Sequence, residues 1–321
     1  MKNLIFILLA VSSMVSCRLD KPDPLPEKYT VQLLLDREDI VERDEPLTLT
    51  KASSKDLYAV QIYKKGSINY SRYAYGIFDD ESRMSLELEL GSTYKIEVSV
   101  VPNGKGLIAK GENGGYQNPF LVGGFSGTPG KITNEFILAT TNYIDEINVG
   151  KAVVNEEGGK KTEYARPPIE RYYGVVKNYR PERGGTLTIP LKYVCFGLTI
   201  VPEDFTEGSI EVKMEGAPTF TLTPDDPTAV TKKIFTFDNF MGNDWTADDY
   251  SEDIPIAITW TKGDGSKIQF SKSMTSYTIT RKMNKILTLL CSNAGQGSLV
   301  LERENDTLVD DPETLEQPTK N

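Results

Sequence analysis

The residue types best suited to ligand chemistry are concentrated in one acidic stretch, DNFMGNDWTADDYSED, at residues 238–253. Oxygen-bearing side chains of this kind can hold calcium, a hard cation that takes about six to eight oxygen ligands. The spacing does not follow the regular D-x-[DN]-x-[DN]-G calcium loop. We therefore expect a solvated acidic loop and keep a calcium site as the alternative. The carboxylates concerned include Asp238, Asp244, Asp248 and Asp249.

Aromatic rings in the same stretch offer a second kind of binding chemistry, because they can stack on sugar rings. The chain has 16 Tyr and 2 Trp residues, and in alternating strands most aromatics should be core residues or cross-strand pairs. Trp245, close to Tyr250 in the acidic stretch, is the aromatic residue that we expect to be exposed. The loop is therefore a candidate glycan site as well as a candidate calcium site.

Composition excludes several classes of function. The chain contains no histidine, which removes Ser-His-Asp and Cys-His catalysis and His-ligated zinc sites. The Gly-rich stretch at residues 104–115 lacks the Gly-Lys-Ser/Thr of a phosphate loop. A net charge of -10, from 46 acidic and 36 basic residues, argues against nucleic acid as a partner. We predict a protein that is not an enzyme and has no metal or cofactor beyond the calcium alternative. A glycosidase that uses two carboxylates is the rival enzyme reading.

Residues 1–16 have the pattern of a secretory signal. Lys2 precedes an uninterrupted apolar run at residues 4–11, and small or apolar residues follow at 12–16. This run is too short to span a membrane, which takes about 20 residues. The segment MVSC at residues 14–17 resembles the lipobox of bacterial lipoproteins, whose cysteine is acylated and becomes the first residue of the mature chain. An ordinary signal peptide with an incidental cysteine is the alternative.

The lipobox resemblance implies that Cys17 carries acyl chains such as palmitate, which together give stable membrane anchoring. The protein would then be held by lipid at the bacterial outer membrane, on the cell surface, with the leaflet left open. Residues 17–29 form the lipidated cysteine and a tether with three prolines, which favour extended backbone.

The remaining cysteines, Cys195 and Cys291, lie in apolar, strand-like runs. Burial of free cysteine in a core is common, so we favour two buried thiols. A disulfide between them is the alternative, because an oxidising compartment permits it.

From residue 30 onward, apolar and polar residues mostly alternate with a period of two, and this pattern predicts β-strands. We interpret residues 84–101, MSLELELGSTYKIEVSVV, as a β-hairpin with one apolar and one solvated face. In that hairpin Glu87 and Glu89 would oppose Lys95 across the strands. Residues 256–270 form a second predicted hairpin. Other strand candidates are residues 30–36, 57–65, 73–79 and 134–140.

The predicted fold class is all-β, with two tandem β-sandwich domains, because short strands separated by turn signals are typical of sandwiches. Gly and Pro at residues 155–168 mark the best boundary. The predicted divisions are 1–16 (signal peptide), 17–29 (tether), 30–154 (first sandwich), 155–168 (linker), 169–304 (second sandwich) and 305–321 (an acidic, disordered tail).

The layout of lipobox, tether, two β modules and acidic tail resembles the fimbrillin-like surface lipoproteins of Bacteroidetes. Three stretches carry the resemblance: LYAVQIYKKG, LELELGSTYKIEVSVV and RYYGVVKNYRPERGGTLTIPLKYVCFGLTIV. The resemblance implies transthyretin-like sandwiches and an anchor or accessory subunit of fimbriae. Shaft subunits of that family lose a first strand by proteolysis, and the only early cleavage candidates here are Arg18, Arg37 and Arg43.

The function that we expect is therefore cell adhesion by a lipid-anchored anchor, accessory or tip subunit of a fimbrium. Its sheet edge would accept a strand from a fimbrial subunit or another surface protein. Residues 30–36, or the edge near 134–140, are the candidate edges. The alternative is a glycan-binding outer-membrane lipoprotein of a polysaccharide-uptake system.

Overall fold

The computed structural model describes most of the two β modules. Cys17 and the tether up to residue 25 lie outside the described residues. The described ranges are 26–38, 55–108, 116–123, 128–139, 141–155, 161–183, 185–225, 233–240, 244–270, 275–291, 299–300 and 309–312.

The predicted all-β class is confirmed. Apart from two short 3-10 turns at Glu81–Arg83 and Gly104–Leu107, the regular structure of the described residues is β-strand. The strands of the first module are β1 (Lys28–Arg37), β2 (Leu57–Lys65), β3 (Tyr70–Phe78), β4 (Ser85–Glu89), β5 (Tyr94–Val101), β6 (Tyr116–Asn118), β7 (Leu121–Gly123), β8 (Thr128–Pro129), β9 (Ile137–Leu138), β10 (Tyr143–Asp145), β11 (Ala152–Asn155), β12 (Lys161–Tyr164), β13 (Tyr172–Tyr179) and β14 (Thr186–Tyr193).

The first sandwich is made from one continuous strand order, β4-β1-β14-β13-β5-β2-β3-β9. β14 pairs in parallel with β1 through residues 186–191 and antiparallel with β13 only at residues 192–193. The β-sheet therefore bends sharply at β14, which divides it into two facing sheets. Sheet A is β4-β1-β14, and sheet B is β13-β5-β2-β3-β9. Val31 and Leu33 of sheet A share one buried cluster with Val60 and Val98 of sheet B.

Sheet B is buried on both faces, because a third layer covers the face away from sheet A. That layer contains two small sheets, β10-β7-β8 and β12-β11-β6. Its buried side chains Phe120, Ile144 and Ile169 pack with Leu57 and Ala59 of β2. Burial on both faces explains why β2 is apolar almost throughout.

The predicted hairpin at residues 84–101 is wrong in its pairing, although both strands exist. β4 lies in sheet A beside β1, whereas β5 lies in sheet B between β13 and β2. The two strands bury their apolar faces in the same core from opposite sides, so their alternation looks the same as that of a hairpin. Glu89 pairs with Lys64 rather than Lys95. The second face of β5 is also not solvated, since Glu97 is buried.

The boundary predicted at residues 155–168 does not separate the sandwiches. β13 and β14, expected in the second module, pair with β5 and β1 and complete the first sandwich. The chain passes into the second sandwich at Val194. The reason is that β1 and β5 need partners that lie far along the chain, 154 residues later for Gln32 with Thr186 and 72 residues later for Val100 with Tyr172, which local composition does not reveal.

The second sandwich has two sheets of five strands each. Sheet C has the order β18-β15-β22-β23, with β24 also on β22, and sheet D has the order β17-β16-β19-β20, with β21 also on β19. The strand bounds are β15 (Cys195–Glu203), β16 (Ser209–Met214), β17 (Phe220–Leu222), β18 (Lys233–Thr236), β19 (Ser251–Thr261), β20 (Lys267–Gln269), β21 (Thr275–Thr280), β22 (Met283–Leu290), β23 (Leu299–Val300) and β24 (Val309–Pro312).

Two features of the second sandwich bear on the sequence predictions. The hairpin at residues 256–270 is confirmed by β19 and β20, with Gly265 at a φ of 83° in the turn. The tail predicted to be disordered from residue 305 instead contributes β24, which pairs in parallel with β22.

No helix within the described residues is long and apolar enough to cross a membrane.

The corner at β14 depends on a glycine in the neighbouring strand. A Cβ at Gly174 would lie 2.3 Å from the carbonyl oxygen of Pro190, so Gly174→Ala forces the two strands apart. We expect the free energy of unfolding to fall by about 1–3 kcal/mol, measured by urea denaturation. Gly106→Ala is the control, because a Cβ there meets nothing within 4 Å. Equal stability of the two variants would contradict the close packing at this corner.

Candidate functional site

The acidic stretch forms the connection between β18 and β19, and it is docked on the first sandwich. The Phe237 N–H donates to the Val194 carbonyl at 3.1 Å, and the Gly150 N–H donates to the Asp238 carbonyl at 2.7 Å. The Phe240 N–H donates to Asn148 at 3.1 Å. We call this contact region, residues 237–240 and 244–250 with the surfaces they touch, the interdomain joint.

The expectation that Trp245 is exposed is wrong. Its side chain is 7% exposed and packs edge-on against Tyr173 of sheet B, with ring centroids 4.9 Å apart. Phe240 completes the aromatic group, 5.5 Å from Tyr173. An aromatic residue between acidic neighbours looks exposed in the sequence, but here the other sandwich supplies its apolar surroundings. The other tryptophan, Trp260, is also buried, so neither indole is available to stack on a sugar.

The carboxylates of the loop do not converge on one point. Asp244 accepts a hydrogen bond from the Thr246 hydroxyl at 2.7 Å, while Asp248 faces Arg281 and Lys282. Asp238 is half-buried, and Asp249 is exposed. Tyr250 donates its hydroxyl to Glu252 at 2.6 Å. Among the described residues, no three acidic or cysteine side chains are grouped so that they could hold a metal ion.

Arg281 is the electrostatic centre of the joint. It lies in the turn between β21 and β22 with a side chain that is 0% exposed. Its guanidinium contacts Glu38 at 2.5 Å and donates to the Tyr193 carbonyl at 3.1 Å, both in the first sandwich. It also donates to the Ala247 carbonyl at 3.1 Å and to Asp248 at 2.8 Å. One buried cation thus holds both sandwiches and the acidic loop together.

Glu38, immediately after β1, is the anionic partner from the first sandwich. Besides Arg281, it pairs with Lys282 and with Lys192, the latter at 3.2 Å. The Tyr193 N–H donates to its carboxylate at 3.1 Å. We call Glu38, Lys192, Asp248, Arg281 and Lys282 the Glu38 cluster.

The surroundings of Glu38 set its protonation. Burial by itself would raise its pKa, but hydrogen bonds from Arg281, Lys282 and the Tyr193 N–H outweigh burial and lower the pKa from 4.5 to about 2. The carboxylate is therefore charged at neutral pH, as the buried guanidinium requires.

A second surface of interest is the open side of the first sandwich. β4 ends sheet A and β9 ends sheet B on the same side, and a groove of about 560 Å³ runs between them. Leu86, Phe136 and Leu138 give it apolar surface, and Leu138 is 62% exposed. Charged groups of both signs border the groove: Lys28, Arg83, Glu87 and Glu135.

The strand pairings around the groove show which of the two segments predicted from the sequence is a sheet edge. Residues 30–36 do not form an open edge, because β1 is paired on both sides, with β4 and β14. The second predicted edge, near residues 134–140, contains β9 (Ile137–Leu138), which is the last strand of sheet B in the described part of the chain.

Solved structures with a similar arrangement come from Bacteroidetes. A candidate adhesin of Bacteroides ovatus has a TM-score of 0.40 at 9% identity, covering 92% of this chain and 97% of that one. A candidate polysaccharide-binding protein of Bacteroides thetaiotaomicron has a TM-score of 0.39 at 11% identity, covering 87% and 99%. The tip fimbrial protein Mfa3 of Porphyromonas gingivalis, truncated at its C-terminus, has a TM-score of 0.35 at 8% identity, covering 85% and 99%.

These three neighbours are described as a candidate adhesin, a candidate polysaccharide-binding protein and a tip fimbrial protein, all at low sequence identity. The chain matches no protein-family model, and no curated protein matches its sequence.

Sequence reasoning missed the Glu38 cluster. Glu38 and Arg281 are 243 positions apart, and each looks like an ordinary surface charge in its local context. The one available signal was that Arg281 and Lys282 form a charged turn directly between two strand patterns. Without the parallel pairing of β1 and β14, nothing places Glu38 near that turn.

The preference for free thiols is confirmed, since Cys195 and Cys291 are both unbridged and buried. Burial, which disfavours the thiolate, raises the pKa of Cys291 to about 12 and that of Cys195 further. Cys195 has a structural role, because its sulfur accepts the Arg171 N–H at 3.0 Å.

Replacing Glu38 tests the joint. Glu38→Gln removes the buried anion of Arg281 and leaves the guanidinium with the exposed carboxylate of Asp248, so we expect the free energy of unfolding to fall by about 3 kcal/mol at pH 7. Because the folded-state pKa is depressed, the contribution of Glu38 is complete above about pH 4.5 and is lost as the pH falls towards 2. Urea denaturation at several pH values should therefore show the two proteins converging below pH 4.5.

The control is Glu211→Gln, which removes an exposed partner of Lys213. An exposed pair contributes less than about 1 kcal/mol, so this variant should match the wild type at every pH. A Glu38→Gln protein with unchanged stability at pH 7 would show that the cluster does not hold the joint.

Proposed function

We propose that the protein is a lipid-anchored, non-enzymatic surface protein that serves as an anchor or accessory subunit of fimbriae. The observation that carries this proposal is the groove between β4 and β9. An extended segment of a fimbrial subunit is the occupant that fits it, and no catalytic residue or cofactor takes part.

The groove offers the two kinds of contact that strand addition needs. Within the described residues, β4 and β9 each have one paired side, so main-chain donors and acceptors remain on the other side. Alternate side chains of an added strand would meet Leu86 and Phe136 between the two sheets. Main-chain pairing supplies affinity and the side-chain contacts supply specificity.

The anchoring part of the proposal rests on the N-terminal sequence. The lipobox-like MVSC and the Pro-rich segment after it lead to residue 26, where the described chain begins just before β1. The tether thus joins the body beside sheet A, and the body is held at the outer membrane.

The glycan-binding alternative is weakened by the position of Trp245. The indole lies within the interdomain joint, so a loss of sugar binding in Trp245→Ala would reflect a disturbed joint as readily as a lost contact. A glycan array on the wild-type protein is the appropriate test of that alternative.

Cys17→Ser tests the anchor. Without its thiol the chain cannot be acylated, so we expect palmitate labelling to disappear and the protein to move from the membrane fraction to the soluble fraction when the membranes are washed with high salt, which screens charge-based binding. Ser16→Ala is the matched control, because it keeps a small residue before the cysteine and should keep the label. Retention of an unlabelled Cys17→Ser protein after the high-salt wash would refute lipid anchoring through this residue.

Leu138→Arg tests the groove. We expect it to weaken binding of a purified fimbrial subunit by about tenfold or more, since it places a charge where an apolar contact is required. Binding to the wild type should also slow hydrogen exchange in β4 or β9, which would show that a strand has been added. Leu34→Arg is the control, because Leu34 is an exposed leucine of β1 outside the groove. Equal weakening by both variants, or binding without such protection, would refute strand addition at this edge.

A further inference from the structure

Four chain segments meet at the end of the first sandwich where the chain enters β1. The Leu90 N–H donates to the Glu27 carbonyl at 2.7 Å, and the Lys65 N–H donates to the Thr93 carbonyl at 2.8 Å. The Tyr70 hydroxyl donates to the Asn178 side chain at 3.0 Å. We call this surface the tether end; its segments are residues 26–28, 64–70, 89–93 and, where the chain is described, 177–183 with 185.

The second sandwich lies at the opposite end of the first. β1 begins at the tether end and finishes at Glu38, which contacts the second sandwich through Arg281. β14 runs the same way, parallel to β1, and leads to Val194. The first sandwich therefore separates the tether from the second sandwich by the length of its strands.

The tether end is basic, although the chain as a whole is acidic. Its segments carry three acidic residues, Glu27, Glu89 and Glu182, and six basic residues, Lys28, Lys64, Lys65, Lys177, Arg180 and Arg183. Residues 195–291, the second sandwich up to Cys291, contain 14 acidic and 9 basic residues. The two ends thus differ in charge, with an excess of basic residues where the tether joins the first sandwich and an excess of acidic residues in the second sandwich.

Exposed apolar side chains accompany this positive charge. Ile68, at the tip of the β2–β3 turn, is 85% exposed, and Leu90, in the β4–β5 connection, is 46% exposed. Two lysines of the tether end are exposed as well: Lys65, three residues before Ile68, and Lys177, next to the Asn178 that bonds Tyr70. Apolar tips surrounded by basic residues are the composition of surfaces that insert shallowly among lipid head groups.

We propose that the tether end is a docking surface for a lipid bilayer with anionic head groups. The proposal rests on the proposed anchoring through Cys17, because the tether holds this surface close to the membrane. At roughly 3 Å per residue for a Pro-rich chain, the tether spans about 30 Å, so the surface can reach the head groups. Docking holds the body upright and turns the acidic second sandwich away from the bilayer.

Vesicle binding by the unacylated chain tests the surface without the anchor. The full mature chain with Cys17→Ser is mixed with vesicles of phosphatidylcholine alone, or of phosphatidylcholine and phosphatidylglycerol in a three-to-one ratio. We expect sedimentation with the anionic vesicles only, and its loss at high salt because exposed charges are screened. Lack of preference for the anionic vesicles would overturn the proposal.

Charge reversal locates the surface. The double variant Lys65→Glu with Lys177→Glu should bind the anionic vesicles about tenfold or more weakly than the parent chain. The matched control is Lys213→Glu with Lys267→Glu, two exposed lysines of the second sandwich, which makes the same change in net charge. Equal weakening in both double variants would overturn the proposal, because binding would then follow net charge alone.

A fluorescent probe gives the orientation directly. In the Cys17→Ser chain, an environment-sensitive dye is attached at Ile68→Cys or, as a control, at Asp264→Cys in the β19–β20 turn; the two remaining native cysteines, Cys195 and Cys291, are buried and should not react. A blue shift of the dye's emission on addition of anionic vesicles, seen at position 68 and not at position 264, supports docking. Equal shifts at both positions refute it. Palmitate labelling of the wild type reports the anchor separately, so failure of anchoring and failure of docking give different results.

Discussion

The buried ion pair between Glu38 and Arg281 is the constraint on which the arrangement of the two sandwiches depends. Removing a guanidinium from water costs several kcal/mol unless its donors are satisfied. Arg281 has partners in the first sandwich, Glu38 and the Tyr193 carbonyl, and in the acidic loop, the Ala247 carbonyl and Asp248. Because these partners come from separate parts of the chain, the pair is complete only when both sandwiches are folded and docked. The joint therefore behaves as a fixed connection rather than a hinge.

Strand positions could be predicted from the sequence, because alternation records which side chains of a segment are buried. β2 occupies the residues expected of it, and β1 lies within a residue or two of its expected bounds. Strand partners could not be predicted, since burial of Leu88 and Ile96 in one core is compatible with a hairpin or with two facing sheets. The assignment of β13 and β14 to the wrong sandwich has the same cause. Pairing of Gln32 with Thr186 leaves no trace in the local sequence of either strand.

The candidate sites show the same limit. The acidic stretch was recognised as unusual, and it does form a distinct part of the molecule. Its tryptophan, Trp245, was expected to be exposed but packs against the neighbouring sandwich. Whether Trp245 meets solvent or Tyr173 depends on the fold of residues far away in the chain. The groove could be anticipated only in part, since residues 134–140 were recognised as an edge while its other wall, β4, was assigned to a hairpin.

The parallel pairing of β1 with β14 also has a consequence for the order of folding. Gln32 and Thr186 are 154 positions apart, and contacts between distant residues form slowly because a long loop must close first. During synthesis, β1 emerges early but has no complete sheet to join until β14 has followed it. The N-terminal strand therefore stays unpaired while most of its own sandwich is still being made. In that interval the edges of β1 are the part of the chain most open to mispairing.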